Sequence, residues 1–516
     1  MTRRRLLASV SALASMAGLS LSGIGRYLPS LVTPAEAQTP PDGGTPFTRT
    51  WLLDEARRLA EQPPSDRQPK LPEALRDLTY EQYRDIRFKP EATVWFGENR
   101  GFTLDLLPAG FLFDRPVDLF IVADGRATPL TASGASFDFG PLMAGRPVPQ
   151  GMPLSGFRVR FPLNAPDRMD EVTVFQGASY FRAVGRNQIY GLSARGIALA
   201  TGDPRGEEFP SFTRFWIERP EPDASVLVIH ALLESTSVTG AYRFTVRPGP
   251  TTTVDVEMTL FPRVDLDHVG LGPLTSMFLF DSSNRGRFDD YRPAVHDSDG
   301  LEVWTGGGEW IWRPLANPST LQLSAFVDRN PRGFGLVQRK RRFEDFGDLE
   351  SLYERRPSAW VEPIGDWGRG AVQLVEIPSD KEVHDNIVAF WRPKDMIAAK
   401  SEYAIAYRIH WGTNVPNPSD LAWVVATRTG LAPVSERRLF VVDFQSADPL
   451  PANVRPELWS SAGKLYGLTG HVLPTPNGYR VSFELDPSGA ALSELRLVLT
   501  DGTKQLSETW LYRWTA

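Results

Sequence analysis

Residues 242–260 contain two runs in which apolar and polar side chains alternate, Tyr242-Arg-Phe-Thr-Val246 and Thr253-Val-Asp-Val-Glu-Met-Thr-Leu260. Successive side chains of a β-strand point to opposite faces, so this alternation predicts strands that are buried on one face only. The segment Pro248-Gly-Pro250 separates the runs, and Pro and Gly are typical of turns. Residues 242–260 are therefore predicted to form two half-buried strands with a turn between them.

The same pattern repeats along most of the chain from Ala92 onward. Further alternating runs, bounded by Gly, Pro, Asn or Asp, cover residues 102–107, 117–122, 157–161 and 225–230. Helical spacing of apolar residues occurs ahead of them, at residues 51–60 and in a shorter stretch at 80–86. Because no long helix is predicted between the strands, the pattern disfavours a doubly wound parallel sheet. It predicts an all-β protein built on a β-sandwich.

The chain is predicted to contain two domains. The sequence Gly412-Thr-Asn-Val-Pro-Asn-Pro-Ser-Asp420 is dense in turn-forming residues and is interpreted as a linker. Residues 38–411 form the large N-terminal β-sandwich in this interpretation. Residues 421–516 carry strand-like runs at 439–444, 478–485 and 495–499, with the length and patterning of an immunoglobulin-like β-sandwich.

The N-terminus has the layout of a bacterial export signal. It begins Thr2-Arg-Arg-Arg-Leu-Leu7, carries no further charge until Arg26, and reaches a small-x-small cleavage site at Ala35-Glu-Ala37. Arginines ahead of two leucines match the twin-arginine pattern. Residues 1–37 are therefore predicted to be a twin-arginine signal peptide, and the mature protein to be periplasmic. No segment approaches the roughly 20 uninterrupted apolar residues of a membrane-spanning helix, so no membrane span is predicted.

The composition excludes several classes of site. The chain has no Cys, so it contains no disulfide, no thiolate metal ligand and no Cys nucleophile. A formal net charge of -6 argues against nucleic-acid binding, which normally requires a strongly basic surface. The 14 Trp, 13 Tyr and 29 Phe supply many flat apolar faces, some with polar tips, which suit sugar rings. Most of these aromatic residues are nevertheless expected in the core.

Carboxylates are the remaining candidates for catalysis. Ser193 lacks the second glycine of a nucleophile elbow, and the six His are too scattered for a zinc site, so neither metal nor cofactor is predicted. Glycoside hydrolysis needs one carboxylic acid and one carboxylate, and Asp297, Asp385 and Glu309 each have His, Asn or Trp neighbours in predicted loops. From local sequence alone, ordinary turns are the more common explanation for both aspartates. The basic run Arg339-Lys-Arg-Arg342 is interpreted as a solvated rim, with anion binding as the alternative.

Longer strings of characteristic residues extend from the first predicted strands to the C-terminus. They include Gly177-Ala-Ser-Tyr-Phe-Arg182, Phe215-Trp-Ile-Glu-Arg-Pro220, His296-Asp-Ser298, Gly308-Glu-Trp-Ile-Trp-Arg-Pro-Leu315, Arg356-Pro-Ser-Ala-Trp360, Asp385-Asn-Ile-Val388 and Leu506-Ser-Glu-Thr-Trp510. In these strings the chain resembles the family of periplasmic glucan biosynthesis proteins G and D. The twin-arginine signal is more similar to the D branch, because the G branch typically carries an ordinary secretory signal.

The resemblance implies a galactose-mutarotase-like N-terminal β-sandwich with a long cleft, joined to a smaller immunoglobulin-like domain. It implies action on osmoregulated periplasmic glucans with a β-1,2-linked backbone, and similarity to inverting endo-β-1,2-glucanases. By motif, Asp385 falls on the general acid and Asp297 on the general base, and Glu382 and Tyr353 fall where the family places supporting polar groups. The residues predicted to bind substrate beside them are Glu309, Trp310, Trp312 and Trp360.

Two functions stay open at this point. In the first, the protein cleaves the β-1,2-glucan backbone during glucan maturation. In the second, it binds nascent glucan without cleaving it and presents it to membrane-bound synthesis or modification partners. A third and weaker hypothesis gives the C-terminal domain a docking role on another envelope protein. The predicted partner is thus a β-glucan polysaccharide, with envelope glucan-synthesis proteins and a homodimer as further alternatives, and no nucleic acid.

Overall fold

The structure is a computed structural model and describes residues 44–64, 71–417 and 419–516. The predicted signal peptide, residues 1–37, lies outside the described residues. In the described ranges the chain consists mainly of β-strands arranged in several sheets, which confirms the predicted all-β class. Within those ranges no helix has both the length and the apolar character needed to span a membrane.

Two α-helices occur in the described residues, α1 (Arg49–Ala60) and α2 (Tyr80–Arg84). Each is preceded by a threonine whose hydroxyl accepts a backbone N–H of the first turn, at 3.0 Å for Thr48 and 3.3 Å for Thr79. The second helix is shorter than predicted because Ile86 already begins a strand. Short 3-10 helices cover Glu73–Leu75, Pro90–Ala92, Gly134–Ser136, Pro141–Met143, Phe343–Asp345 and Tyr353–Arg355.

The strands are numbered in chain order. Up to the turn after residue 262 they are β1 (Thr45–Pro46), β2 (Ile86–Phe88), β3 (Thr103–Pro108), β4 (Asp118–Ala123), β5 (Arg126–Leu130), β6 (Ala132–Ser133), β7 (Phe137–Phe139), β8 (Gly151–Met152), β9 (Leu154–Ala165), β10 (Arg168–Gln176), β11 (Tyr180–Ala183), β12 (Ser193–Arg195), β13 (Ala198–Leu199), β14 (Ser211–Glu218), β15 (Leu227–Glu234), β16 (Val238–Arg247) and β17 (Thr252–Pro262).

The remaining strands lie on both sides of the predicted linker, β18 to β28 ahead of it and β29 to β35 after it. They are β18 (Val269–Ser276), β19 (Phe278–Phe280), β20 (Val295–His296), β21 (Gly300–Trp304), β22 (Trp310–Pro314), β23 (Gln322–Arg329), β24 (Gly333–Val337), β25 (Ser358–Ile364), β26 (Arg369–Glu376), β27 (Ile387–Pro393), β28 (Tyr403–Gly412), β29 (Trp423–Leu431), β30 (Arg438–Gln445), β31 (Arg455–Ser460), β32 (Lys464–Val472), β33 (Gly478–Asp486), β34 (Leu492–Thr500) and β35 (Thr509–Thr515).

Two large sheets dominate the architecture. One has fifteen strands in the order β1-β5-β4-β14-β15-β16-β17-β28-β25-β24-β21-β22-β35-β34-β31. The other has ten strands, in the order β23-β26-β27-β18-β12-β11-β10-β9-β3, with β13 beside β18. Parallel pairs occur at β4–β14 and β22–β35, whereas the chain neighbours β15, β16 and β17 pair antiparallel.

The two predicted strands at 242–260 lie at the centre of the fold, in β16 and β17. Their antiparallel register places Tyr242 opposite Met258. On the inward face, the ring of Phe244 lies 5.0 Å from that of Phe175 on β10 and 5.2 Å from that of Phe181 on β11. These contacts join the fifteen-stranded sheet to the ten-stranded sheet, so the main core lies between two sheets packed face to face.

The C-terminal strands divide between two sheets. A four-stranded sheet has the order β29-β30-β33-β32, whereas β31, β34 and β35 extend the fifteen-stranded sheet. The link is the parallel pairing of β35 with β22, in which Trp510 is opposite Trp312. Both tryptophans belong to a second core with Phe440 and Phe483, so the C-terminal strands share a sheet and a core with the preceding part of the chain.

Candidate active site

Polar side chains occupy one face of the ten-stranded sheet. Tyr180 and Arg182 are two residues apart on β11, and Tyr180 is opposite Arg195 on β12. The residues between them, such as Phe181, point to the opposite face and join the main core. This alternation produces a sheet with an apolar face against the core and a polar face that can form the floor of a site.

Arg195 is fixed on this floor by a set of buried partners. Its Nη1 donates to Glu207 Oε1 at 2.6 Å, and its Nε donates to Thr275 Oγ1 at 2.7 Å. The guanidinium also lies 4.9 Å from the centre of the Tyr180 ring. The hydroxyl of Thr201 donates to the same Glu207 oxygen at 2.6 Å. The floor is therefore a pre-organised network of charges and hydroxyls.

The backbone beside Asp297 and that beside Asp385 are both bonded to the chain segment around Met277. The backbone N–H of Asp297 donates to Met277 O at 2.8 Å, and Asn386 N–H donates to Ser276 O at 3.1 Å. The Asn386 side chain completes the junction, since its Oδ1 accepts from Phe278 N at 2.8 Å. The two carboxyl-bearing residues, 88 positions apart in sequence, are thus brought to one turn of chain, and both are buried, with exposed fractions of 2% and 4%.

Cations of the floor and its rim act on these carboxylates. Arg356 Nη1 forms an ion pair with Asp297 Oδ1, and both groups are fully buried. Burial raises the pKa of the Asp297 carboxyl, whereas Arg356 and Arg182 lower it and the negative charge of Glu382 raises it further. Burial lowers the pKa of Arg182, and the charges of Asp385 and Asp297 oppose that shift. Arg182 is therefore within electrostatic range of both aspartates.

Tyr353 and Glu382 extend the site toward solvent. The Arg356 guanidinium lies 4.2 Å from the centre of the Tyr353 ring, and the Tyr353 hydroxyl donates to Glu382 Oε2 at 3.4 Å. Arg292 Nη2 lies 2.8 Å from the same Glu382 oxygen. The exposed fraction of the side chain rises from 3% at Asp297 through 13% at Arg292 to 30% at Glu382. Glu382 thus marks the solvent side of a deeply set site.

The arrangement is suited to acid–base chemistry. Two buried carboxyls lie within range of a fixed set of arginines, and burial raises the pKa of the Asp297 carboxyl, which makes its carboxylate a stronger base. A metal-like arrangement exists beside them: ligand atoms of Asp281, His296 and Asp299 lie within 4.8 Å of one another. Lys340 Nζ forms ion pairs with both of these aspartates, so a protein ammonium group supplies a cation there.

The structure brings together four of the predicted site residues, Asp385, Asp297, Glu382 and Tyr353, and places the other four elsewhere. Trp310 stacks between Trp304, at 4.9 Å, and Trp360, at 5.8 Å, within the fifteen-stranded sheet. The Arg339 guanidinium covers the ring of Trp312 at 3.6 Å. Glu309 Oε1 accepts from Thr509 Oγ1 at 2.6 Å, at the junction with β35. These three predicted tryptophans are buried among protein groups, and substrate contact by them stays a prediction.

Sequence reasoning missed the arginines and tyrosine of the floor. Arg182 and Arg195 occupy alternate positions in short strands, where a charged residue ordinarily faces solvent. Both strands are buried in the structure, so these charges are partnered inside the protein, but the local sequence does not reveal that burial. Arg356 was missed because its carboxylate partner Asp297 is 59 positions away in sequence, and Arg292 because Asp348 and Glu382, the partners that tie it to the site, are also distant.

Comparisons with known proteins converge on one family. Residues 47–514 match the family model described as "Periplasmic glucan biosynthesis protein, MdoG". A "Glucans biosynthesis protein G" of Rhodopseudomonas palustris (strain BisA53) is 47% identical over 519 residues, covering 100% of both chains. Proteins of the same name are 49% identical in Vibrio cholerae, over 91% of this chain and 87% of the relative, and 47% identical in Bradyrhizobium diazoefficiens, over 94% and 96%.

Proposed function

This chain belongs to the family of periplasmic glucan biosynthesis proteins, and from this premise we propose that it hydrolyses the β-1,2-glucan backbone as an inverting endo-glucanase. Its role lies in periplasmic glucan biosynthesis, and hydrolysis would trim or shape the glucan during maturation. In the proposal, Asp385 is the general acid and Asp297 the general base, and the protein reaches the periplasm by the twin-arginine pathway.

The observation that carries the proposal is the pair of buried aspartates at Met277 with Arg182 in range of both. Inverting hydrolysis needs a carboxylic acid beside the leaving oxygen and a carboxylate that activates water on the other face of the sugar. Two buried carboxyls held at one chain segment, with Arg182 in range of both, can supply that pair of groups. Burial raises the pKa of Asp297, which makes its carboxylate a stronger base, while Arg356 keeps it from being protonated too readily.

The test is hydrolysis of linear β-1,2-glucan by the purified protein, measured as new reducing ends, with the anomer of the product read by NMR. Asp385→Asn is expected to lower kcat by about 100-fold or more, because general acid–base catalysis typically contributes that much. Asp380→Asn is the matched control, since Asp380 is an exposed carboxylate five residues earlier in the same loop. Absence of new reducing ends with the unmodified protein would defeat the proposal.

A non-catalytic glucan-binding role is the second candidate. The observation that favours it is that the relatives are named for glucan biosynthesis, with no reference to hydrolysis. Under this alternative, the protein binds β-1,2-glucan in calorimetry without producing reducing ends. Asp385→Asn would then leave glucan production in cells unchanged, whereas the hydrolytic function requires it to change.

A further inference from the structure

The basic run at 339–342 is not the solvated rim that its sequence predicts. Three of its four side chains have partners inside the protein, and only Arg342 has a mostly exposed side chain, paired with Asp345 three residues away. The physical reason is that Arg339 and Lys340 each neutralise two buried carboxylates from other strands and loops. Gln338 to Arg341, named the 338–341 segment, follows β24 directly and lies between the candidate active site and the C-terminal strands.

The Arg339 side chain is directed to the C-terminal part of the chain. It donates to both carboxylate oxygens of Glu508, at 2.6 and 2.9 Å, and to Val424 O at 2.7 Å. Glu508 in turn accepts from Val424 N at 2.6 Å. On its other side, Arg339 Nη2 lies 3.3 Å from Glu302 on β21. This forked arrangement fixes the position of Arg339 in a way that a single ion pair would not.

The backbone of the same segment holds the loop that carries Asp297. The N–H groups of Arg339 and Lys340 both donate to Asp299 Oδ2, at 2.6 and 2.8 Å. Lys340 Nζ forms an ion pair with the other Asp299 oxygen. Gln338 Nε2 donates to the carbonyl of His296, the residue before Asp297, at 3.1 Å. Both neighbours of the Asp297–Ser298 pair are thus bonded to the 338–341 segment.

The segment also holds the turn that carries Tyr353 and Arg356. Gln338 Nε2 lies 3.4 Å from Tyr353 O, and Arg341 Nη1 donates to the carbonyls of Glu354 and Arg356. Arg341 Nη2 further donates to Ser358 Oγ at 3.0 Å. Arg356 is the ion-pair partner of Asp297. One short segment therefore fixes the proposed base through its own loop and through its counter-ion.

From this geometry we propose that Arg339 is a positioning residue for the active site. Its pairing with Glu508, the residue that precedes β35, holds the 338–341 segment, and that segment holds Asp297 and Tyr353. The inference rests on the proposed hydrolytic function for its kinetic consequence, but its structural consequence is independent of that function. Under this inference, the C-terminal part of the chain helps to hold the active-site loops in place. Glu302 remains a partner of Arg339 on its other side, so loss of Glu508 removes the fork that orients Arg339 and not its only counter-charge.

The test compares Glu508→Gln, Arg339→Lys and the control Arg342→Gln in the full mature chain. Glu508→Gln keeps the shape and one acceptor but removes the charge, and Arg339→Lys keeps the charge but removes the fork. Hydrogen exchange is measured by mass spectrometry on peptides covering residues 295–299 and 352–356, with 242–260 as an internal reference. Kinetics on β-1,2-glucan are measured on the same samples.

For Glu508→Gln we expect several-fold faster exchange at 295–299 and 352–356, with no change at 242–260. We expect a fall in kcat of about tenfold with KM nearly unchanged, because small displacements of catalytic groups lower rates that strongly. Arg339→Lys should give a smaller effect in the same direction, and it serves as the test variant if Glu508→Gln does not fold. Arg342→Gln should match the unmodified protein in both measurements.

Two outcomes overturn the inference: unchanged exchange at 295–299 in both test variants, or exchange that is faster to the same degree in the 242–260 reference. These outcomes are separate from failure of the proposed function. If the unmodified protein hydrolyses no glucan, the hydrolytic function fails, and the exchange measurement still decides whether Arg339 positions the Asp297 loop.

Discussion

At the scale of single residues, two arginines set the charge around the candidate site. Burial raises the pKa of Asp297, whereas Arg356 lowers it most and Arg182 lowers it further. Arg182 is also the group whose own pKa responds to both aspartates. The protonation of both carboxyls therefore responds to the charge of Arg182.

Arg182→Met is expected to move the acidic limb of the kcat/KM–pH profile to higher pH. Asp297 must be ionised to accept a proton, and loss of one cation raises its pKa further, so a higher pH is needed to ionise it. The measurement is the rate of reducing-end formation as a function of pH, at substrate concentrations well below KM, where the rate reports kcat/KM. Arg158→Met on β9 is the matched control, since Arg158 pairs with Glu171 on the same sheet. An acidic limb that stays in place in Arg182→Met would contradict this electrostatic role.

At the scale of strands, a glycine on β24 makes room for a buried tryptophan on the neighbouring strand. A Cβ on Gly333 of β24 would collide with the indole of Trp360 on the neighbouring strand β25. Trp360 is 1% exposed and stacks on Trp310 of β22. The absence of a side chain on β24 thus makes room for a ladder of rings across β22 and β25, and this ladder is a packing feature of the fifteen-stranded sheet.

Gly333→Ala is expected to destabilise the protein by about 1–3 kcal/mol, the usual cost of overpacking a core. The measurement is the urea midpoint followed by tryptophan fluorescence. Gly430→Ala in strand β29 is the control, because an added Cβ there meets no atom within 4 Å. Equal midpoints for the two variants would show that Trp360 can move aside. Trp360→Ala is expected to lower the free energy of unfolding by about 3–5 kcal/mol, as large core truncations do. Because Trp360 packs in the core, we expect this loss of stability without a selective change in KM.

Strand positions were predictable from the sequence because they follow a local pattern. The runs at 242–246 and 253–260 lie within β16 and β17, which extend to Val238–Arg247 and Thr252–Pro262. The extra residues were not predicted, since near its start β16 is buried on both faces and the alternation disappears. The position of helix α1 was recovered for the same local reason.

The site was predictable only in part, because its geometry depends on long-range contacts. The loop placement of Asp297 and Asp385 followed from turn-forming neighbours, and their roles from resemblance alone. The pairing of Arg356 with Asp297 joins residues 59 positions apart, and no local pattern encodes it. The run at 339–342 was misinterpreted for the same reason: its burial depends on Glu302 of β21 and on Glu508, which precedes β35.

The continuous fifteen-stranded sheet joins the two parts of the described chain at the scale of the whole molecule. Strand β22 pairs with β21 on one edge and with β35 on the other. Trp312 of β22 packs in the C-terminal core, and Trp510 of β35 donates from Nε1 to Thr427 Oγ1 at 3.0 Å. Ser283 O, in the loop ahead of Asp297, accepts from the Tyr512 hydroxyl at 3.1 Å. The part of the chain after the predicted linker is thus attached to the preceding part by backbone pairing, apolar packing and polar contacts.

A fragment of residues 38–411 is therefore expected to be less stable than the mature full chain, although it retains the whole predicted N-terminal domain. The fragment lacks β35, so the edge of β22 is left unpaired and the Trp312 ring is exposed. Arg339 also loses Glu508, its carboxylate partner in the C-terminal part of the chain. The measurement is the urea midpoint from far-UV circular dichroism, with size-exclusion chromatography to detect association through the open edge. For the full chain, fluorescence and circular dichroism should give coincident transitions, because one sheet and one shared core connect the two parts. A monomeric fragment with the full-chain midpoint would mean that the shared sheet contributes little, and the C-terminal strands would then be free to serve a separate docking role.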